Sequence, residues 1–155
     1  MTKLTIEDLL NIEEIKNLRT LYSHYYDGVD VANLVDLFTD DAICEFGEAY
    51  GGDWIGKETI RANFSKFAEG EGDVHSVMHA VTNPWIRLID ADTAHGRWYM
   101  LNINTTEGND NPLNMFGIYD DVYKKVGGEW KIHRTRIDFL WPRREFEGIR
   151  GDVHA

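Results

Sequence analysis

A chain of 155 residues, 43% hydrophobic and 12% aromatic, has the length of one domain and the apolar material for one packed core, which excludes disorder over most of its length. Its 27 acidic residues outnumber 16 Lys and Arg, and the formal charge of -11 repels phosphate backbones and anionic lipid, so neither nucleic acid nor a membrane is an expected partner. Met1-Thr2-Lys3-Leu4 runs directly into a charged amphipathic segment instead of a signal-peptide core, and Cys44, the single cysteine, excludes an internal disulfide, so the expected address is cytoplasmic.

Thr5-Ile6-Glu7-Asp8 has the form of a capping box, and Ile15, Leu18, Tyr22 and Tyr25 keep helical spacing as far as Gly28, which predicts a first helix. Ala32, Leu34, Val35 and Phe38 predict a short second helix from Val31 to Phe38, ended by Thr39-Asp40-Asp41. A strand is expected from Ala42 to Phe46, with Cys44 inside it as core packing. The glycine-rich segment from Glu48 to Gly56 reads as a loop, and Ile60, Phe64 and Phe67 set a third helix from Lys57 to Ala68. Four long strands follow: His75 to Ile89, Thr93 to Thr105, Leu113 to Val126 and Glu129 to Trp141, separated by Asp90-Ala91-Asp92, a Thr106-to-Pro112 loop and Gly127-Gly128. With no repeat and no Pro/Ser-rich linker, residues 1–155 form one α+β domain, with three N-terminal helices packed on a curved antiparallel sheet and a tail at 142–155.

The order of these elements, with Tyr26-Asp27-Gly28, Leu37-Phe38-Thr39-Asp40-Asp41-Ala42, His79…Thr82-Asn83-Pro84, Gly96-Arg97-Trp98-Tyr99 and Gly128-Glu129-Trp130-Lys131-Ile132, resembles the SnoaL-like branch of the nuclear transport factor two-like superfamily. The resemblance covers nearly the whole chain and implies a cone-shaped, cystatin-like sheet. Within the branch the chain is most similar to the group of scytalone dehydratase, hexachlorocyclohexane dehydrochlorinase and bile acid 7-alpha-dehydratase, which remove a proton with a buried His and an Asp and expel a leaving group. The resemblance assigns His79 as base, Asp27 as its acidic partner, and Tyr22 to a position held by a catalytic tyrosine or lysine. It sets Arg134 near a pocket arginine and Asn102 where the bile acid enzyme has a second aspartate, so that enzyme's substrate is not carried over. The superfamily also includes non-catalytic binders and dioxygenase small subunits, and these remain alternatives.

Imidazole is the side chain whose unperturbed pKa suits proton abstraction near pH 7, and a carboxylate on its other nitrogen stabilises the imidazolium that forms. His79 and Asp27 fit those roles, and equally fit a histidine satisfied within a strand and an acid that precedes Gly28. Tyr22 and Tyr26, four apart on one helical face, either polarise a substrate carbonyl or seal the core. Strict alternation sets Trp130, Ile132, Arg134, Arg136 and Asp138 on one face of the last strand. Arg134 there either anchors an enolate or carboxylate, or pairs across strands with Asp138 or Asp120.

Trp98 and Met100 are among the residues expected to line an apolar pocket, and Asn102 and Tyr26 to bind the substrate. His75 and His79 are too far apart on an extended strand to chelate, roughly 13 Å at 3.3 Å per residue, and His24, His95, His133 and His154 add no ligand cluster, so no metal is expected. No phosphate-binding glycine pattern occurs, and no cofactor is expected. The resemblance, with His79 and Asp27 in those roles, implies a cofactor-independent lyase or isomerase acting on a small hydrophobic cyclic substrate. Sheet surface left bare by the helices predicts self-association, and the resemblance implies a homodimer or a homotrimer.

Overall fold

The computed structural model describes residues 3–66, 68 and 76–144. Phe67, His75, His154 and the tail beyond residue 144 lie outside the described residues.

Thr5 caps the first helix, α1 (Ile6–Asp27): its hydroxyl accepts from the Asp8 N–H at 3.1 Å, and the Asp8 carboxylate accepts from the Thr5 N–H at 2.8 Å. At the far end Asp30 N–H donates to Tyr25 O (2.9 Å) and Val29 N–H to Tyr26 O (3.1 Å), the paired bonds of a Schellman ending. Such an ending needs one left-handed residue. It is Val29, at φ 58°, and not Gly28, which keeps φ -83°. A β-branched residue in that conformation is strained by about 1–2 kcal/mol.

The second helix, α2 (Val31–Asp36), is shorter than its apolar pattern predicts, and β1 (Phe38–Glu45) starts four residues earlier than Ala42. Phe38 pairs with Ile132, and Ile132 N–H donates to Leu37 O at 2.8 Å, so Thr39-Asp40-Asp41 enters the sheet instead of only ending a helix. Inside the glycine-rich segment a 3-10 turn (Glu48–Tyr50) leads to a three-residue strand, β2 (Asp53–Ile55), too short for alternation to reveal. Next come α3 (Lys57–Lys66), which buries Ile60 and Phe64, and the strands β3 (Val77–Leu88), β4 (Thr93–Asn104), β5 (Leu113–Val126) and β6 (Glu129–Trp141).

These six strands form one curved, unclosed sheet in the order β2-β1-β6-β5-β4-β3. Every neighbouring pair is antiparallel except β1 and β6, which run parallel, so the sheet is mixed where an antiparallel one was expected. A parallel neighbour needs a long crossover, and here everything from β2 to β5 supplies it. The helices cover one face, where Ile15, Leu18 and Tyr22 of α1 meet Trp98, Tyr119 and Tyr123 of the sheet.

A bulge divides β6. Tyr123 pairs with Ile132 but Val122 with Arg134, which leaves His133 as an extra residue. Trp130 and Ile132 therefore continue on the helix side as Thr135 and Ile137, while Arg134, Arg136 and Asp138 pass to the outer face. There Asp120 accepts from His95 Nε2 at 2.8 Å and lies 3.5 Å from both Arg97 and Arg136. Burial pushes the Asp120 carboxyl upward, but the His95 bond and the two arginine charges outweigh it and hold it below its ordinary value.

Candidate functional site

Between α1, α3 and the sheet lies a cavity of about 40 Å³ lined by Tyr22, Tyr26, His79, Asn102, Met115 and Tyr119, with Tyr50 and Trp54 at the side formed by the glycine-rich segment. That space suits a few water molecules.

Asp27, the last residue of α1, and His79, near the start of β3, meet at its edge. His79 Nδ1–H donates to Asp27 Oδ1 at 2.6 Å, and the His79 backbone N–H donates to Asp27 Oδ2 at 2.9 Å. Only the folded chain could pair them, since 52 positions separate them in sequence. The end of a helix disfavours a carboxylate, because the last carbonyls carry partial negative charge, and the two His79 donors offset this. The His79 side chain is 7% exposed, and the Tyr26 ring stands edge-on to the imidazole at 4.4 Å between centroids.

On the other side of the ring, Asn102 Nδ2 donates to His79 Nε2 at 3.1 Å, the two residues being direct partners across β3 and β4. Asn102 Oδ1 accepts from Asn114 Nδ2, also at 3.1 Å. Asn114 has no sequence signal to single it out: it is one polar residue after a polar loop.

Tyr22 is 2% exposed, with its ring stacked on Tyr26 at 6.1 Å and edge-on to Tyr119 at 6.1 Å. Burial above all, and then the neighbouring Tyr119, push the Tyr22 phenol well above its ordinary value, against a smaller lowering by Arg19. Burial likewise raises Tyr26 and Tyr50, and raises Tyr119 to about 12. All four phenols stay protonated near neutral pH and can donate. Behind them Arg19, fully buried, holds its guanidinium 4.2 Å from the Tyr22 ring and 3.5 Å from the Tyr119 ring, with Nε 3.6 Å from Asp121.

Of the residues singled out by sequence, the fold gathers Tyr22, Tyr26, His79 and Asn102 around the cavity and Asp27 directly behind His79. Two others are elsewhere. Trp98 is buried one layer behind, where its Nε1–H donates to the Tyr123 hydroxyl at 3.0 Å, and that hydroxyl donates to Asp121 at 2.6 Å. Arg134, turned to the outer face by the His133 bulge, lies away from the cavity and donates to Glu45 of β1 at 2.8 Å, a cross-strand ion pair with a partner other than Asp138 or Asp120. Tyr50 and Trp54 line the cavity without having been singled out, because they lie in a segment with no periodicity, and Phe64, read from its spacing as a core residue of the third helix, joins them. Cys44 is buried in the core, and burial raises its thiol. Among the described residues no group of three or more His, Cys, Asp and Glu side chains could hold a metal, and no helix is long and apolar enough to cross a membrane.

Solved structures of the same shape are numerous. A protein from Novosphingobium aromaticivorans, described provisionally as a scytalone dehydratase, superposes with a TM-score of 0.75 at 20% identity over 95% of this chain and 94% of its own. A second protein from that organism, provisionally an aromatic ring hydroxylase, gives 0.71 at 26% identity over 90% and 94%. A Nostoc punctiforme protein of unknown function with a cystatin-like fold gives 0.73 at 23% identity over 91% and 97%. No curated protein matches the chain. The profile of the SnoaL-like domain matches residues 7–136, and with the helix-covered curved sheet described above, the chain belongs to the SnoaL-like domain family.

Proposed function

We propose that this protein is a cofactor-independent lyase or isomerase of the dehydratase type, acting on a small hydrophobic cyclic ketone or alcohol. The observation that carries this reading is the Asp27–His79 pair at the edge of an aromatic cavity. His79 takes a proton from carbon beside a carbonyl, Asp27 stabilises the imidazolium through Nδ1–H, and Tyr22, a neutral phenol, polarises the carbonyl or protonates the departing hydroxyl. Asn102 and Tyr26 position the substrate. A ring-bearing molecule needs more than the few waters' worth of space in this form, so this reading requires the cavity to widen on binding.

A panel of hydroxylated cyclic ketones, assayed by mass spectrometry for loss of water, tests the reading. A turned-over substrate and its loss in His79→Ala support it; a His79→Ala protein as active as wild type removes His79 from the chemistry.

The second reading is a binding protein of the same fold, favoured by the occupied lone pair of His79, whose Nε2 already accepts from Asn102. A compound that raises the melting temperature and is recovered unchanged would favour binding alone. Self-association belongs to the outer sheet face, where Trp85 and Tyr99 stand 44% and 48% exposed beside an open hollow of about 420 Å³ that Tyr99 also lines. Light scattering on the purified protein reads the oligomeric state.

A further inference from the structure

The three links Asn114→Asn102→His79→Asp27 all point one way. An ionised Asp27 can only accept, so Nδ1 of His79 carries a hydrogen; in a neutral ring Nε2 is then an acceptor. Asn102 must turn its NH2 to Nε2, which leaves its Oδ1 facing Asn114, and Asn114 fills that place with its own NH2. A bulge makes this contact possible. Asn102 pairs with Met115 and Ile103 with Leu113, so Asn114 is the extra residue of β5, and its side chain turns to the face that Asn102 occupies instead of alternating away.

We infer that Asn114 is a positioning residue that fixes the orientation of the Asn102 amide, with its NH2 toward Nε2 of His79, and so reinforces the tautomer that Asp27 requires. When Nε2 takes a proton it becomes a donor, and Asn102 must then rotate its Oδ1 toward it. That rotation brings the Asn102 NH2 against the Asn114 NH2 unless Asn114 rotates as well. Protonation of the base is in this way coupled to a half-turn of two amides. The catalytic consequence rests on the lyase reading above, but the tautomer is observable without any substrate.

Long-range proton–nitrogen NMR spectra of the imidazole rings in the intact, ligand-free protein at neutral pH test it, with His79→Gln identifying the signals. Wild type is expected to show His79 Nδ1 protonated and Nε2 bare. In Asn114→Asp the carboxylate accepts from Asn102, which turns Oδ1 to the ring, and Nε2 is expected to move to the protonated position. In Asn114→Leu, which brings no charge, Nε2 is expected to move part of the way as Asn102 samples both orientations, and Asn114→Gln should return it toward wild type. If Nε2 stays bare in both Asn114→Asp and Asn114→Leu, the inference is overturned. It is also overturned if only the Asp variant moves, since charge alone would explain that. A fold check by circular dichroism accompanies each variant, and a shifted tautomer alongside a fully active His79→Ala would leave this inference standing while the lyase reading fell.

Discussion

Both carboxylate oxygens of Asp27 are taken by one residue: Oδ1 accepts the ring N–H of His79 at 2.6 Å and Oδ2 its backbone N–H at 2.9 Å. An amide in that place could accept only one of the two donors. Asp27→Asn is therefore expected to leave the fold intact and lower kcat by about 10²–10⁴, the range for losing a base's orienting partner. Asp27→Ala strands both donors and should cost about 1–3 kcal/mol in a denaturant titration. Unchanged turnover in Asp27→Asn would exclude the carboxylate from the mechanism.

Arg19 sits fully buried between the rings of Tyr22 and Tyr119, and no hydrogen bond to its side-chain nitrogens occurs among the described residues. Its charge is balanced by Asp121, whose carboxyl burial raises while Arg19 pulls it back down. Removing one partner leaves the other charged in the core, so Arg19→Leu and Asp121→Asn should each destabilise by about 3–5 kcal/mol, and the double variant by less than their sum. Additive losses across that cycle would show that the two charges do not act as a pair.

Val29 keeps a left-handed backbone that glycine adopts without strain. Val29→Gly should stabilise the protein by about 0.5–1 kcal/mol, the relief of the Cβ clash less the entropy that glycine loses on folding. A lower melting temperature in Val29→Gly would mean that its side-chain packing outweighs the strain.

The outer-face cluster gives the protein an acid limb. Asp120 is held below the ordinary aspartate value of 3.8, so its contribution to stability is complete above that pH and is lost as the pH falls through the folded value. Asp120→Asn is expected to be less stable than wild type at neutral pH, and the gap should narrow as the pH drops below 3.8, read by urea unfolding at several pH values. A gap that is constant with pH would assign the loss to packing.

Much of the architecture was legible because it rests on period and punctuation. The Thr5–Asp8 box, the α1 stripe and the four long strands all carry their signal within a dozen residues. β2 did not, since three residues between glycines have no period, and the parallel β1–β6 pair did not, since strand direction is set by a crossover far away in the chain. The site divides the same way. Tyr22, Tyr26, Asp27, His79 and Asn102 stood out by type and context, whereas Arg134 was misplaced by a single extra residue. Alternation carries the face of a residue forward only until a bulge, and His133 interrupts it immediately before Arg134. The same irregularity in β5 hid Asn114.

The two caps of α1 have a consequence for how this site can change. Each helical residue turns the chain by about 100° and advances it about 1.5 Å, so the capping box and the Schellman ending together act as stops that fix the phase of Arg19, Tyr22, Tyr26 and Asp27 at once. A substitution on β4 or β5 changes the sheet side of the cavity and leaves the phase of the helix as it was. One residue inserted between Tyr22 and Asp27 would instead swing the carboxylate out of reach of His79 while the sheet stayed whole. The helix is thus the indexed part of the site and the sheet the interchangeable part, and new specificities on this scaffold are to be sought by exchanging strand residues under a helix of constant length.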